Sequence, residues 1–472
     1  MKEQQTVLTE LKALLGDNVL TDEAILREHS SDWIGHRRWE KYNGCYLAQI
    51  PLCVIKAQNT ADVVKALQYC NHNRVTVIPQ CGRSGVCAGS ETVNGAVALD
   101  GSAMNRIIKL DEENQLLTAL CGTPLQYIEK YCQERGFTTG HFPQSLPLAQ
   151  IGGLVSTRSI GQLSTLYGGI EEMLVGLEAV LADGTVIRTK NVPRRAAGPE
   201  PRDLFIGSEG NFAFITEVTV KIFRNHQKLW KRAYAMDKFK TGLEAIKEIM
   251  QEGWKPAVVR LHDAVEAGLT YSGFINDGEN IMLFAADGPE GLTKATGQAV
   301  DRLVKKYGAR DLGEKPVDLW YKVRNNTCDD PFHAAKTGLV RDTCEVSAKW
   351  TDIYRIYENV IHRFPREVEN VTQISAHSSH SYTTGTNLYF VFSFSGDTDM
   401  VRARAQFDQA WNIIMEETLR FNGSICHHHG VGKYRAHLIP KEHGSAYRIL
   451  EILKDGFDPN RIMNTGTFMP RP

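Results

Sequence analysis

Three adjacent histidines followed by glycine-spaced basic residues form the part of the chain best suited to chemistry. The stretch reads Ser-Ile-Cys-His-His-His-Gly-Val-Gly-Lys-Tyr-Arg. Imidazole titrates near neutral pH, so it serves as a proton shuttle and as a common metal ligand. If this segment is extended, His427 and His429 share one face and His428 points the other way. With Lys433 or Arg435 nearby to hold an anion, the pattern predicts proton transfer on a polar substrate.

Two further candidate catalytic residues lie on predicted strands. The stretch 387–394 alternates between apolar residues and others, which predicts a strand with Tyr389 on the face opposite the apolar residues. Arg260 lies in the short apolar run 257–261, where a guanidinium is suited to bind a carboxylate at two points. Sheet packing for Tyr389 and a buried ion pair for Arg260 are the alternative interpretations. The predicted catalytic set is His427, His428, His429, Tyr389 and Arg260.

Two glycine-rich segments are suited to bind a flat, polar ligand. The first follows a predicted strand–helix–strand unit over 52–79, and its glycines let backbone N–H groups approach a phosphate. The second, from 143 to 169, has too few apolar side chains for a core and suits a backbone wrapped around a ligand. The candidate binding residues in these segments are Pro79, Cys81, Gly82, Arg83, Ser84, Gly85, Val86, Pro143, Ser145, Ile151, Gly152, Gly153, Ser156, Thr157 and Gly161.

The bulk composition excludes several classes of protein. The 472 residues carry 54 basic and 55 acidic side chains, and this balance argues against nucleic-acid partners and a polybasic membrane surface. No apolar run approaches the ~20 residues of a membrane span, and no secretory signal is recognisable. The ten cysteines are scattered without a Cys-x-x-Cys pair, which predicts reduced thiols in a cytoplasmic protein.

The pattern of predicted elements changes after Phe223. Before it lie the glycine-rich segments and a predicted hairpin that turns at Asp183-Gly184. After it, strands and helices alternate, which predicts a sheet covered by helices on one side. We therefore expect three regions: 1–224 as a ligand-binding domain, 225–415 as a cap, and 416–472 as a segment that returns to the first domain with the histidine run.

The order of the motifs resembles one flavoprotein superfamily. Gly-Ser-Glu-Gly at 207–210 is followed by Ile-Thr at 215–216, and the C-terminal part holds Asp-Pro at 458–459 before Met-Asn-Thr-Gly at 463–466. Together with the two glycine-rich segments, these motifs are similar to those of the vanillyl-alcohol oxidase and p-cresol methylhydroxylase superfamily, over nearly the whole chain.

This resemblance implies an α+β fold with a two-subdomain FAD-binding domain of the p-cresol methylhydroxylase type. An α+β substrate cap with an antiparallel sheet covered by helices would complete it. The resemblance also implies one FAD, bound non-covalently because no attachment position matches. It adds four cofactor-binding residues to the candidates, namely Glu209, Gly210, Ile215 and Asn464.

Within the superfamily, the histidine run, Tyr389 and Arg260 resemble the alkylglycerone-phosphate synthases and their bacterial FAD-linked homologues. In those synthases the matching groups line the substrate side of the flavin. The chain departs from the pattern in three places. Cys-Gly-Arg-Ser at 81–84 replaces the usual Gly-Gly-Gly-Thr, and Asn-Phe at 211–212 replaces the usual Thr-Leu. The stretch 330–333 lacks an arginine that the synthases carry. The missing arginine argues against a phosphorylated substrate.

The predicted function is that of an FAD-dependent oxidoreductase, a dehydrogenase acting on a small hydroxylated, anionic substrate. A histidine would serve as the base while hydride passes to flavin N5. We expect a homodimer, with an electron-transfer flavoprotein or a quinone as acceptor. One alternative is a synthase-type transferase that exchanges an acyl for an alkyl group through a flavin N5 adduct. A second is a metal-assisted 2-hydroxy-acid dehydrogenase in which His377 and His380 join the run; the main prediction is that no metal is bound.

Overall fold

The computed structural model describes residues 3–45, 49–226 and 229–469. The α-helices are α1 (Gln4–Leu15), α2 (Glu23–Glu28), α3 (Gly35–Tyr42), α4 (Thr60–Asn73), α5 (Leu125–Gln133), α6 (Ile151–Ser156), α7 (Ser164–Tyr167), α8 (Ile170–Met173), α9 (Phe239–Gln251), α10 (Ala264–Tyr271), α11 (Glu290–Lys306), α12 (Lys315–Val323), α13 (His333–Lys336), α14 (Ile353–Glu367), α15 (Met400–Arg420), α16 (Ile439–His443) and α17 (Tyr447–Phe457). The strands are β1 (Val19–Leu20), β2 (Cys53–Lys56), β3 (Val77–Gln80), β4 (Val97–Asp100), β5 (Ile107–Asp111), β6 (Leu116–Leu120), β7 (Phe137–Thr138), β8 (Leu174–Leu181), β9 (Val186–Arg188), β10 (Ala213–Lys221), β11 (Phe223–Arg224), β12 (Trp230–Met236), β13 (Val258–His262), β14 (Asn280–Ala286), β15 (Arg310–Gly313), β16 (Leu339–Lys349), β17 (Val371–Ser378) and β18 (Gly385–Ser395).

The first sheet has the order β1-β2-β4-β3, with β2, β4 and β3 parallel. The helix α4 connects β2 to β3, as the sequence predicts over 52–79. Asn59 caps its N-terminus by accepting a hydrogen bond from the Asp62 backbone at 3.1 Å. Val63, Leu67 and Cys70 are buried on one face of the helix, in the core of this sheet. The first glycine-rich segment begins where β3 ends.

The second sheet is antiparallel, with the order β5-β6-β10-β8-β9. The predicted hairpin is confirmed: Val180 pairs with Val186, and Gly184 takes a positive φ of 87° at the turn. Val180 and Phe214 of this sheet lie in the same apolar core as β2 to β4, so the two sheets pack against each other. Short strands β7 and β11 form a separate pair.

The third sheet has seven antiparallel strands in the order β15-β12-β14-β13-β17-β18-β16. Helices α9, α11, α14 and α15 cover one face, together with apolar side chains such as Phe284 and Phe390. Helices α10 and α12 pack on the opposite face through Tyr271 and Trp320, beside Leu283. The expectation of helices on one side is therefore wrong. Successive side chains of β14 point to opposite faces of the sheet, and all seven residues are buried. Both faces of the sheet therefore need a cover.

The predicted alternation along β18 is confirmed. Leu388, Phe390, Phe392 and Phe394 are buried in the helical core. Tyr389 points to the other face, and its register neighbours are Glu345 on β16 and His377 on β17. The pleat of three adjacent strands therefore places Tyr389, Glu345 and His377 side by side.

The C-terminal segment joins the third sheet to the first. Helix α15 packs on α14 and β16. The predicted boundary at residue 415 falls inside this helix, which runs from Met400 to Arg420. Further on, Val77 of β3 donates to the Ile462 carbonyl and accepts from the Asn464 backbone, each at 2.8 Å. Among the described residues, no helix is both long and apolar enough to cross a membrane.

Candidate active site

The histidine run is anchored at one end to the seven-stranded sheet. Ser424 and Ser347 exchange backbone hydrogen bonds of 2.8 and 3.2 Å at the edge of β16. Glu345, also on β16, is completely buried, and its Oε1 accepts the backbone N–H groups of His428 at 3.2 Å and His429 at 3.0 Å. One carboxylate therefore fixes the backbone at two consecutive histidines.

The other end of the run is anchored to the first two sheets. Glu209 accepts the backbone N–H of Val431 at 2.7 Å with one oxygen and that of Gly432 at 2.8 Å with the other. Gly432 has a φ of 52°, and a Cβ there would collide with the carbonyl oxygen of Cys87. Glycine is therefore required at this close approach.

The run is not extended, so the predicted alternation of its side chains is wrong. Residues 427–429 form bends, and all three imidazoles lie together. The His427 and His428 ring centroids are 5.1 Å apart, and those of His428 and His429 are 4.3 Å apart. Nδ1 of His427 lies 2.8 Å from Nδ1 of His428, so one of these nitrogens donates to the other. The two backbone anchors explain this compact shape.

The two basic residues after the run do not face a substrate, contrary to expectation. Arg435 is 1% exposed; it donates to Glu345 Oε2 at 2.7 Å and to the Ile425 carbonyl. Lys433 donates to Asn464 Oδ1 at 2.8 Å and to the Gly89 carbonyl at 3.3 Å. Both cations therefore stabilise the fold of the segment.

Glu345 remains ionised at the centre of this segment. Burial opposes its ionisation, but Arg435 and His429 outweigh that cost and hold the pKa of Glu345 well below its usual range. Nδ1 of His429 lies 2.6 Å from Glu345 Oε2. His429 is therefore the histidine of the run that is directed at a carboxylate.

Tyr389 lies between the run and a second group of histidines. Its ring stacks on His377 at 4.8 Å and on His428 at 5.9 Å, with interplanar angles of 18° and 19°. Burial raises the pKa of the Tyr389 hydroxyl, so the phenol stays protonated. Tyr389 therefore lies next to the histidine run, in contact with His428.

Arg260 begins a chain of polar contacts behind Tyr389. Its Nε donates to Nε2 of His262 at 3.3 Å, which leaves the His262 proton on Nδ1, 3.2 Å from Glu266. Glu266 also accepts from Nδ1 of His377 at 2.9 Å. His262, Glu266 and His377 have ligand atoms within 4.8 Å of one another, a spacing compatible with a metal ion. The second alternative grouped His377 with His380 instead.

Arg324 is a candidate that the sequence reasoning missed. Its guanidinium carbon lies 5.3 Å from the Trp320 ring centroid, and that of Arg260 lies 5.4 Å from the same centroid. Phe142, from the second glycine-rich segment, is 5.2 Å from the Arg324 guanidinium carbon. Nη1 of Arg324 is buried without a hydrogen-bond partner among the described residues. No motif marks this arginine, because it follows the end of an ordinary amphipathic helix.

Tyr382 was also missed, and His380 was considered only as a metal ligand. The Tyr382 hydroxyl lies 2.8 Å from Nε2 of His427, and Nδ1 of His380 lies 2.7 Å from the Ser164 hydroxyl. The His380 and His427 rings stack at 5.2 Å. Both residues lie in the polar stretch between β17 and β18, which reads as an ordinary loop in the sequence.

The histidines around Tyr389 are neutral bases. Burial lowers the pKa of His427 to about 4 and that of His377 to about 4. Burial also lowers the pKa of His428 and of His380 well below the ordinary imidazole value, and the neighbouring imidazoles add to the effect. A neutral imidazole has a free lone pair at neutral pH, so the cluster can accept a proton.

The first glycine-rich segment forms a partly open loop after β3. Residues 81–86 are half-buried and follow directly after β3. Arg83 has a φ of 49° and pairs with Glu28 at 2.6 Å, so its side chain turns away from the loop backbone. Cys81 points inward, where a Cβ on Gly101 would touch its sulfur. The loop therefore presents mainly backbone groups, including those of Gly82, Ser84 and Gly85.

The second segment begins with a turn and continues into the short helix α6. The Ser145 carbonyl accepts from Leu148 and Ala149 at 2.8 Å each, just after Pro143. Ile151 is buried, and a Cβ on Gly152 would collide with Cys121. By contrast, a Cβ on Gly153 would meet no atom within 4 Å. This glycine therefore borders open space.

The remaining predicted cofactor residues hold the segment and its neighbours together. Thr157 donates to the Gly153 carbonyl at 3.0 Å, and the Ser156 carbonyl accepts from the Glu209 backbone at 2.8 Å. Gly161 packs closely on Phe142, and Gly210 packs closely on Pro79. Ile215 is buried in the apolar core, and the partly buried Val86 packs against this core. Asn464 donates to the Gly89 carbonyl at 3.0 Å and to that of Glu209.

These residues fit a flavin dinucleotide. The loop at 81–86 presents backbone groups for a pyrophosphate, and Gly153 borders space for a ring system. Oε1 of Gln150 and Oγ of Ser208 are buried without hydrogen-bond partners among the described residues. Buried polar atoms are normally satisfied, so these two are available to a ligand. Both lie next to the predicted binding residues in sequence.

Comparison with known proteins defines the class. Residues 51–190 match the family described as FAD binding domain, and residues 233–468 match FAD linked oxidases, C-terminal domain. The FAD-linked oxidoreductase YgcU of Escherichia coli O157:H7 is 45% identical over 479 residues, covering 98% of this chain and 98% of that protein. An alkyldihydroxyacetonephosphate synthase structure matches with a TM-score of 0.83 and 22% identity, covering 100% of this chain and 86% of its own. The structure of substrate-bound p-cresol methylhydroxylase matches with a TM-score of 0.78 and 17% identity, covering 98% of this chain and 96% of its own.

The chain therefore belongs to the FAD-linked oxidoreductase family. Its fold is α+β and of the p-cresol methylhydroxylase type, as the sequence predicts. The protein is an FAD-dependent oxidoreductase. The resemblance drawn from the order of the glycine motifs is confirmed.

Proposed function

We propose that the protein is a dehydrogenase that oxidises a small hydroxylated, anionic substrate, with hydride transfer to flavin N5. One observation carries this proposal: neutral imidazoles lie beside Tyr389, and the charge of Arg260 acts on two of them, His377 and His380. Arg324 contacts the same Trp320 ring as Arg260. Oxidation of an alcohol needs a base for the hydroxyl proton, and an anionic substrate needs a fixed cation. When bound, FAD would supply the acceptor for the hydride.

His428 is the proposed base. His427 uses both ring nitrogens, one toward Tyr382 and one toward His428, and His429 directs Nδ1 at Glu345. Nε2 of His428 has no hydrogen-bond partner among the described residues, so its lone pair is available once the proton lies on Nδ1. Tyr389 stacks on the same ring and would orient the substrate hydroxyl.

Arg260 and Arg324 are proposed to bind the anionic group of the substrate. Neither forms an ion pair with a carboxylate within the described parts of the chain, although burial lowers the pKa of both. A buried cation without a partner is costly, and a substrate carboxylate would remove that cost. The aromatic ring of Trp320 supports both guanidiniums.

The substrate is tested by anaerobic mixing with anionic hydroxy acids, neutral polyols and hydroxyalkyl phosphates while flavin bleaching is followed. We expect bleaching by anionic compounds, with KM raised ~10-fold to ~100-fold in Arg324→Ala, because each lost charge-assisted bond is worth roughly 1.5–3 kcal/mol. Arg302→Ala, at an exposed pair with Glu252, serves as the matched control and should keep the parent KM. Bleaching by neutral polyols alone, with Arg324→Ala unchanged, would contradict the anionic assignment.

A synthase-type exchange remains the second candidate function, because the synthase structure aligns with the whole chain. Such an exchange leaves the flavin oxidised after each turnover. A dehydrogenase leaves it reduced under anaerobic conditions. Lasting bleaching therefore favours the dehydrogenase, and product formation without bleaching favours the synthase.

We also propose that FAD is held non-covalently by the two glycine-rich segments and that no metal is needed. Cys87 is 2% exposed, and burial raises its thiol pKa, so it is a poor nucleophile for flavin attachment. Glu266 already accepts from His377, and Arg260 places a positive charge beside His262. That charge opposes a cation at the three-residue cluster. Metal analysis of untagged protein should find well under one equivalent.

The remaining proposals concern the assembly and its partners. We propose the division into a flavin domain (1–224), a cap (225–415) and a returning segment (416–472), supported by the separate seven-stranded sheet. A cytoplasmic homodimer is proposed, and buried free thiols such as those of Cys53, Cys70 and Cys132 are in keeping with a reducing compartment. An electron-transfer flavoprotein or a quinone is the proposed electron acceptor.

A further inference from the structure

Three side chains form a continuous hydrogen-bonded chain from the surface to the proposed base. The Tyr382 hydroxyl lies 2.8 Å from Nε2 of His427, and Nδ1 of His427 lies 2.8 Å from Nδ1 of His428. Tyr382 is 42% exposed and belongs to an exposed turn, whereas both histidines lie deeper. We propose that Tyr382 is the outer end of a proton path that carries the substrate's hydroxyl proton from His428 through His427 to solvent. This inference rests on the proposed dehydrogenase function.

The low basicity of the histidines favours rapid release of the proton along this path. Burial lowers the pKa of His427 to about 4 and that of His428 well below the ordinary value. An imidazole with so low a pKa does not keep a proton at neutral pH. The proton taken from the substrate must therefore leave the pair before the next turnover.

Each transfer along the path is balanced. His428 takes the hydroxyl proton on Nε2 as the substrate carbon gives up its hydride, which bound FAD would accept. His428 releases the proton on its Nδ1 to Nδ1 of His427. His427 then releases its Nε2 proton to the Tyr382 oxygen, whose own proton passes to water. Every imidazole gains one proton at one nitrogen and loses one at the other, so no charge remains in the interior. After the product leaves, water in the vacated site takes the Nε2 proton of His428. One proton then passes inward from solvent through Tyr382 and His427 to Nδ1 of His428, which restores the starting tautomers.

The surroundings of Tyr382 favour the outward direction. Burial, together with the carboxylates of Glu171 and Glu172, raises the pKa of the Tyr382 hydroxyl, so it stays protonated and acts as a relay. Glu171 pairs with the exposed Arg158 at 3.3 Å, on the domain that faces the tyrosine. On the inner side, the stacked ring of His380 is held by Ser164 at 2.7 Å and fixes the His427 ring. The His427 ring is thus held in place at the inner end of the path, and Tyr382 is accessible to water at the outer end.

The path can be tested without a substrate. Protein with ¹⁵N-labelled histidine and bound FAD is compared by NMR in the parent and in Tyr382→Phe, which keeps the ring but removes the hydroxyl. We expect exchange of the His427 and His428 ring protons with solvent to slow by at least about tenfold, because the relay is cut. Tyr127→Phe, at an exposed tyrosine away from the cluster, is the control and should exchange at the parent rate. A His427→Gln sample assigns the signals.

A second variant and a rescue separate proton transfer from packing. Tyr382→His supplies another group that carries a proton, and it should restore exchange toward the parent rate. Free imidazole in the buffer should accelerate exchange in Tyr382→Phe but not in the parent. Unchanged exchange in Tyr382→Phe, or slowed exchange that neither Tyr382→His nor imidazole restores, would overturn the path. The NMR result does not depend on finding a substrate, so failure of every panel compound would count against the proposed function alone.

Discussion

At the scale of single residues, two buried carboxylates determine what the histidines can do. Glu345 holds the backbone of His428 and His429 and faces Nδ1 of His429, so its negative charge is committed to this end of the cluster. Glu266 neutralises the other end through His262 and His377. The imidazoles between these two anchors remain neutral because burial dominates their pKa values.

The pH dependence of flavin reduction reports this burial. Burial lowers the pKa of His428, the proposed base, well below the ordinary imidazole value, and it lowers the pKa of His427 to about 4. Both rings therefore stay neutral and able to accept a proton until the pH falls well below the ordinary imidazole value. The reduction rate at saturating substrate should be flat between about pH 8 and about pH 5.5 and should fall only below that range. Stopped-flow reduction across this range measures it. A rate that is half lost near the ordinary imidazole value would show that the base is solvated, in contradiction to the structure.

At the scale of elements, the site depends on a short segment stretched between two sheets. Glu345 of β16 fixes its first half, and Glu209 fixes its second half. Three strands of the seven-stranded sheet, β13, β17 and β18, bring Arg260, His377 and Tyr389 to the same place. The site is therefore formed where this sheet meets the segment held by Glu209.

Glu209→Gln should loosen the histidine segment while the fold persists. Each Glu209 oxygen accepts one backbone N–H, and the amide nitrogen of glutamine cannot accept. A buried backbone N–H left without an acceptor costs about 1–3 kcal/mol, so the local opening of residues 427–432 should rise by ~10-fold to ~100-fold. Amide hydrogen exchange followed by mass spectrometry measures this change. Glu217→Gln, at a half-buried site on β10, is the control; equal exchange in both variants would refute the anchoring role.

Local pattern explains which of these elements the sequence predicts. The alternation along β18, the capped helix α4 and the hairpin at Gly184 depend on neighbouring residues, and all three are found as predicted. The shape of the histidine run depends on Glu345 and Glu209, which are distant in sequence. The condition of an extended segment, on which the expected alternation of the histidines depended, is therefore not met. Arg324 and Tyr382 were missed for the same reason, since only the fold brings them to the site.

At the scale of the whole molecule, the chain combines a general flavin-binding architecture with a site of its own. The first two sheets share one apolar core and carry the glycine-rich loops. The seven-stranded sheet carries Arg260, Tyr389 and the carboxylate Glu345. The order of glycine motifs therefore sufficed to predict the fold, whereas the chemistry of the substrate side depends on the arrangement of side chains across both parts.

The mode of flavin attachment is a property of the whole holoenzyme. A hydrogen bond with Cys121 and burial raise the thiol pKa of Cys81, and burial raises that of Cys87, so neither supplies a thiolate. Acid precipitation should release one yellow FAD per chain into the supernatant. Colour that stays with the pelleted protein would show a covalent bond, and protein with no flavin at all would contradict the fit of the glycine-rich loops.

The most direct test of the account is single-turnover flavin reduction in His428→Ala, under anaerobic conditions, with a substrate found in the panel. We expect FAD to remain bound and reduction to slow by ~10²-fold to ~10⁴-fold, the usual loss for a general base. Tyr389→Phe should slow reduction less, because it removes one hydroxyl and keeps the stacked ring. His443→Ala, at an exposed histidine on α16, should reduce at the parent rate. If His427→Ala, His428→Ala and His429→Ala all reduce at the parent rate, the histidine run is structural and the proposed mechanism is wrong.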